Sequence, residues 1–307
     1  MGFPKTLQEF QAAFPEDEAC WQALRRARWP EGFRCPRCGH GASSWISTSC
    51  LEQCRSCRYQ CSVTAGTIFH CTKVPLLTWF WAIFFVARHK QGISAKQLQR
   101  DTGIGCYETA WTMLHKLRSA LSPRPGIRLA GLVEADETYV GGPERGRRGG
   151  REVLHKSIVA GAVEQRPHSA GRLRLSVLRG VSFEEDLGPF IRGVINAHDA
   201  TVRTDGFPGY RRLAAVGVDH DRRIQGADHA YAREILPWIH RVFGNLKTWL
   251  RGTFNGVSGK HLQRYLNEFV YRFDRRWREG ELFGFVLRRA AHGEPFPYHR
   301  LVAESDR

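Results

Sequence analysis

Glu134-Ala-Asp136-Glu137-Thr-Tyr-Val-Gly-Gly142 closes the run that begins at Leu129, in which apolar and polar residues alternate. A period of two is the pattern of a β-strand, whose successive side chains point to opposite faces. Glu134, Asp136 and Thr138 then share one face and Glu137 takes the other. An acid within an otherwise apolar strand is costly unless it is paired or holds a metal ion. Thr201–Thr204 repeats the device: a short strand ends at Asp205, and Gly206-Phe-Pro-Gly209 turns the chain behind it. Two carboxylates at the ends of neighbouring strands can hold two divalent ions about 4 Å apart.

Outward from these stretches, strands are predicted at Leu129–Val140, Ser157–Val163 and Leu173–Val181, a helix over Glu184–Ile195, and a strand at Thr201–Thr204. Helices follow over Ala232–Trp249 and His261–Arg276. Three adjacent strands, a helix, a strand and then helices is the order of a ribonuclease-H-like α/β domain. The basic, Gly-rich stretch Gly141–Gly150 interrupts the first hairpin and reads as a mobile loop that meets phosphates. His198 and Asp199 read as loop residues, and His220, Asp221 and His229 as surface groups.

Upstream, Ser122-Pro-Arg-Pro-Gly126 is a linker, and the pattern before it is helical. Pro75 suits a first helical turn, and that helix runs to about Lys90. Ser94 caps a short helix, Ala95–Arg100; Thr102-Gly103-Ile104-Gly105 makes a turn, and a longer helix covers Tyr107–Leu121. This is the helix-turn-helix arrangement. Trp79, Phe80, Phe84 and Phe85 read as core. Residues 1–30 form a short helical lead-in.

Between them, Cys35-Pro-Arg-Cys38 and Cys54-Arg-Ser-Cys57 stand fifteen residues apart. Each C-x-x-C knuckle puts two thiolates on one side of a tight turn, and two knuckles complete a tetrahedron around Zn²⁺. Cys50, Cys61 and Cys71 lie nearby without forming a knuckle, and His40 reads as a surface residue.

The net charge is +16 and the pI about 9.9, which points to a polyanionic partner, nucleic acid ahead of membrane. Residues 1–127 hold 16 of the 46 basic and 8 of the 30 acidic side chains, so both parts share the excess. Nine cysteines, an odd number with metal spacing, and the lack of a signal-like N-terminus indicate a reduced, cytoplasmic setting. The apolar run Leu76–Ala87 is short of the ~20 residues that span a bilayer.

Four stretches carry a family resemblance: EADETYVGG (134–142), TDGFPGY (204–210), IHRVFGNLKTWLRGTFNGVS (239–258) and HLQRYLNEFVYRFDRR (261–276). In that order behind a zinc ribbon, they resemble bacterial insertion-sequence transposases of the DDE superfamily, the ISXO-like type. The resemblance spans about residues 30–277. It implies an RNase H-like catalytic domain using Mg²⁺ or Mn²⁺, hydrolytic cleavage at the element's 3′ ends and strand transfer into target DNA. Its partners would be the double-stranded transposon ends and target, held by a homo-oligomer in a bacterial nucleoid setting. Asp136 and Asp205 take the first two acidic positions. The family commonly carries Glu seven residues before a Lys on the closing helix; here His240 stands seven before Lys247, and that spacing keeps both on one helical face. His240 is thus the third metal ligand on this reading, with Glu268 the competing candidate. Lys247, Arg272 and Arg275 would contact DNA phosphates. The divisions are 1–30 lead-in, 31–72 zinc ribbon, 73–122 helix-turn-helix, 127–280 catalytic domain and 281–307 tail. The ribbon and helix-turn-helix would bind the terminal inverted repeats. The competing function is a catalytically decayed DNA-binding protein repressing at those repeats.

Overall fold

The computed structural model describes residues 3–141, 156–224 and 235–303. They form two compact units, Ser122–Asp274 and the remainder.

The first unit opens with α1 (Leu7–Ala13), whose N-cap Thr6 accepts the Glu9 N–H at 3.1 Å, and α2 (Asp17–Arg28). A three-stranded antiparallel ribbon follows: β1 (Ser43–Ile46), β2 (Leu51–Cys54) and β3 (Gln60–Ser62). Arginines tie α2 to it. Arg25 pairs with the fully buried Glu52 of β2, and Arg28 donates to the Val63 carbonyl at 2.7 Å. Next come α3 (Leu76–Arg88), α4 (Ala95–Thr102) and α5 (Tyr107–Ala120). α3 stops at Arg88, two residues short of the predicted end, and buries Trp79, Phe80, Phe84 and Phe85 as expected. Ser94 caps α4 by accepting the Gln97 N–H at 3.1 Å, and α4 packs on α5 across the Gly103 turn.

The second unit is built on β4 (Leu129–Val140), β5 (Ser157–Arg166) and β6 (Ser169–Leu178), then α6 (Gly188–Val194), β7 (Ile195–Thr204) and β8 (Asp219–Arg222). α7 (Pro237–Phe254) and α8 (Gly259–Phe273) complete it. The sheet order is β6-β5-β4-β7-β8. β4, β5 and β6 pair antiparallel, whereas β4–β7 and β7–β8 are parallel. α7 and α8 cover one face through Ile239, Val242, Phe243, Leu246, Leu262 and Leu266 against Val159, Val163 and Leu173. α6 covers the other, where Leu187 and Ile191 meet Val133, Ala135, Ala160 and Val202. This mixed five-stranded sheet with helices on both faces is the RNase H-like fold expected from the element order.

The chain then rejoins the first unit. Residues 281–307, expected as a tail, instead contain α9 (Leu282–His292) and α10 (Tyr298–Ala303). α9 buries Leu282, Phe283, Val286, Leu287, Ala290 and Ala291, and Phe283 packs against the rings of Phe10, Phe14 and Phe80. Those positions repeat at helical spacing, so the segment had an apolar face to bury. The expected catalytic boundary at 280 likewise falls inside the first unit, which resumes at Arg275.

Other boundaries also differ. β7 starts six residues before the predicted strand and takes in His198 and Asp199, while β8 takes in His220 and Asp221. A π-helical turn at Phe183–Leu187 precedes α6 within the predicted helix. The stretch after Gly141, His229 and the start of the helix predicted from Ala232 lie outside the described residues. Among the described residues, no helix is long and apolar enough to cross a membrane.

Candidate active site

The four predicted thiols converge. The sulfurs of Cys35, Cys38, Cys54 and Cys57 all lie within 4.8 Å of one another, with Cys35–Cys57 and Cys38–Cys54 at 3.6 Å. Zn–S bonds of ~2.3 Å in a tetrahedron separate sulfurs by roughly 3.8 Å, so the cluster fits zinc. The two knuckles are built alike. Gly39 and Arg58, each following the second cysteine, adopt φ of 75° and 59°. Their N–H groups donate to the carbonyls of Cys35 and Cys54 at 2.9 and 3.1 Å. Cys50 donates instead to the Ser47 carbonyl, and Cys61 is buried beside the cluster; neither is a member of the tetrad, nor is Cys71.

The second site lies where the interior of β4 runs beside the end of β7. In their parallel register Val133 faces Val202 and Glu134 faces Arg203, and two residues further on Asp136 stands level with Asp205. His240, in the first turn of α7, sets Nε2 3.2 Å from Asp136 Oδ2. Asp205 accepts the Phe207 N–H at 2.9 Å, which shapes the turn after β7. Asp136, Asp205 and His240 do not all approach within 4.8 Å; among the described residues only the cysteine tetrad does. Asp136 and His240 therefore touch, and Asp205 acts on both at longer range.

Burial pushes the Asp136 carboxyl above the ordinary carboxylate range, opposed by the His240 hydrogen bond and reinforced by Asp205. The Asp136 hydrogen bond raises His240, against burial. The hydrogen bond between them thus favours the charged imidazole, whereas an imidazole that holds a divalent cation must be neutral. Carboxylate oxygens suit a hard divalent cation, and a neutral imidazole can also ligate it, though less well than a third oxygen would.

The opposite face of β4 carries Glu137, as the alternation requires. Its Oε2 accepts the hydroxyl of the fully buried Tyr210 at 3.0 Å. Glu134, on the Asp136 face, is fully buried and accepts the N–H groups of Trp238 and Ile239 at 2.8 and 2.9 Å. Behind Asp205, the Thr204 hydroxyl and His220 Nε2 lie 2.9 Å apart, and Arg203 pairs with Asp221 at 2.7 Å. His220 and Asp221 are accordingly partners of β7 rather than free surface groups.

Lys247, seven residues after His240 on α7, is half-buried. Burial lowers its pKa, while Asp136 acts in the opposite sense and Lys156 and Arg251 add to the lowering. Lys247 is thus within electrostatic reach of Asp136, and Lys156 and Arg251, which the sequence reading did not single out, neighbour Lys247. Glu268 is fully buried on α8, which packs against β6, two strands or roughly 10 Å from β4. The carboxylates acting on His240 are Asp136, Glu134 and Asp205. Arg272 lies in the last turn of α8, and Arg275 places its guanidinium over the Phe285 ring at 5.7 Å.

Gly161 on β5 is also part of the site. It faces Asp136 in the β4–β5 register, and a Cβ there would lie 2.8 Å from Ile239 and Phe243 of α7. The missing side chain lets the His240 helix sit down on the sheet.

Comparison with known proteins agrees with this architecture. Residues 128–274 match the model of the ISXO2-like transposase domain, and residues 15–60, α2 included, match that of the transposase zinc-ribbon domain. A Halobacterium salinarum protein described as an uncharacterized protein in transposable element ISH50 is 29% identical over 282 residues, 84% of this chain and 91% of that one. A chain of the simian T-cell lymphotropic virus intasome in complex with PP2A regulatory subunit B56 gamma is 15% identical. It covers 57% of this chain and 67% of that one with a TM-score of 0.32, a likeness too low to carry an argument. By these matches, the chain carries a transposase zinc-ribbon domain followed by an ISXO2-like transposase domain.

Proposed function

We propose that this chain binds the terminal inverted repeats of an insertion sequence, cuts the DNA strands at the element's ends and joins them to target DNA. The observation that supports it most is the Asp136–His240 contact at 3.2 Å, level with Asp205 just past the end of the adjacent parallel strand. Asp136, Asp205 and His240 would hold Mg²⁺ or Mn²⁺, with His240 rather than Glu268 as third ligand. When bound, such ions lower the pKa of an attacking water or 3′-hydroxyl and stabilise the leaving oxygen of an in-line displacement. Lys247, with Lys156 and Arg251, would hold the phosphate beside the carboxylates, and Arg272 and Arg275 would contact the backbone elsewhere.

Zinc in the Cys35–Cys38–Cys54–Cys57 cluster would be structural, fixing the ribbon that, with α4 and α5, holds the element's ends. Two ends must be brought together, so the active species would be a homo-oligomer on double-stranded DNA. The test is Asp136→Asn on duplexes bearing the element's end, with Mg²⁺ or Mn²⁺. Loss of a metal ligand is expected to reduce cleavage by more than the ~100-fold that outer-shell changes can cost, with end binding retained. Undiminished cleavage by the variant would overturn the assignment. End binding by a wild-type chain that cleaves with neither metal would favour the repressor reading.

A further inference from the structure

Glu134 sits two residues before Asp136 on the same face of β4, fully buried, and it is not among the proposed metal ligands. Its partners are backbone groups 104 and 105 residues away, the N–H groups of Trp238 and Ile239, both bound to the same oxygen, Oε2. They belong to the first turn of α7, where a helix leaves its N–H groups without intrahelical partners. The N-cap there is Leu236, which offers no side-chain acceptor, and Pro237 occupies the first position and has no N–H. His240 N–H already reaches the Leu236 carbonyl at 3.3 Å. Trp238 and Ile239 thus hold the two orphan donors, and Glu134 satisfies both from across the unit.

His240 is the next residue after Ile239. The cap therefore ties the strand that carries Asp136 to the helical turn that carries His240, two residues from the first and one from the second. We infer that Glu134 is a positioning residue: it clamps the start of α7 to β4 so that His240 meets Asp136 in the geometry that a divalent cation requires. A carboxylate at a helix N-terminus also interacts favourably with the helix dipole. The inference rests on the reading of Asp136 and His240 as the metal-holding pair.

Reach and charge are separable by substitution. Glu134→Gln keeps an acceptor oxygen at the same distance and loses the charge. Glu134→Asp keeps the charge and falls one methylene short. Glu134→Ala loses both. Two readouts on the full chain decide the matter: hydrogen exchange at the Trp238 and Ile239 amides, and Mn²⁺ binding followed by electron paramagnetic resonance. Exchange at the two amides should be slow in wild type and Glu134→Gln, and about tenfold faster in Glu134→Asp and Glu134→Ala, the effect of losing one net hydrogen bond. Mn²⁺ binding should weaken by about 10-fold or more in Asp and Ala, within the range known for outer-shell partners of metal ligands, and by no more than about 3-fold in Gln.

The order Gln above Asp is the signature of positioning. If Glu134 were itself a metal ligand, Asp would bind Mn²⁺ better than Gln, and that result would overturn the inference. Equal amide exchange in wild type and Glu134→Asp would overturn it as well. Should Glu134→Ala fail to fold, the Gln and Asp variants carry the comparison alone. A wild-type chain that binds no Mn²⁺ would count against the metal reading, while amide exchange would still decide the clamp.

Discussion

Two carboxylates of the same sheet, Glu164 buried and Asp136 partly so, behave in opposite ways, and their partners differ. Burial pushes the Glu164 carboxyl up, but the Arg172 side chain at 2.9 Å and the N–H groups of Arg172 and Ala130 outweigh it and hold it below the ordinary range. Asp136 has His240 for a partner and Asp205 for a like-charged neighbour, and its pKa is raised. A carboxyl depressed on folding contributes stability that is present above its unfolded pKa of about 4.3 and lost as pH falls through the folded value. Glu164→Gln is therefore expected to lower stability at pH 7 by about 1–2 kcal/mol, discounted because Arg172 is partly exposed. The gap from wild type should shrink as pH falls below about 4, as urea unfolding at the two pH values would show. Alternation in Leu129–Val140 set Glu134 and Asp136 on one face and Glu137 on the other without a structure, and the family resemblance singled out Asp136 between the first two. It did not reveal that Glu134 caps a helix a hundred residues on, because such a partnership depends on how α7 docks.

At the scale of elements, the site depends on how closely α7 approaches the sheet. Gly161 permits that approach, since a methyl group there would meet Ile239 and Phe243 at 2.8 Å. Gly161→Ala is expected to cost about 1–3 kcal/mol by overpacking. By moving His240 away from Asp136 it should also slow cleavage by on the order of 100-fold, the scale that a 1 Å misplacement can reach. A thermal midpoint and a cleavage rate measured on one preparation would check both. A lower midpoint with an unchanged rate would mean that α7 docks without this contact. The elements themselves were unevenly legible. β4 carries its acids within an otherwise apolar run, and its ends are as predicted. β7 begins where its pairing with β4 shifts register between Leu129 and Gly131, so its first residues show no clean period. β8 reads Asp-His-Asp-Arg, without an apolar residue, and is a strand because Thr201 and Arg203 of β7 bond to Asp219 and Asp221.

Over the whole molecule, the charge of +16 is spread along the chain rather than gathered in a tail. Binding to duplex DNA should then depend steeply on salt. With six to ten phosphate contacts, affinity would fall by about 10³–10⁵-fold between 50 and 200 mM. Lys247→Gln should reduce the slope of log affinity against log salt by about 1 without changing preference among sequences, as expected for a phosphate contact. Fluorescence anisotropy across a salt series measures both, and an unaltered slope would remove Lys247 from the interface. The two-unit division also shows how far local pattern extends. The C-terminal segment carries an amphipathic helix, yet its membership of the N-terminal unit follows from rings at positions 10, 14, 80 and 283 meeting in space.

By itself the sequence determined the cysteine tetrad, the acidic strand and the order of elements, because each is written in local spacing: a C-x-x-C turn, a period of two, a period of 3.6. Only the tertiary structure decided that His240 rather than Glu268 stands beside Asp136. Both lie on helices with an apolar face, and helical period says which face is buried but not against which strand. That choice comes from the packing of α7 over the centre of the sheet and α8 over its edge, and from the close approach allowed at Gly161.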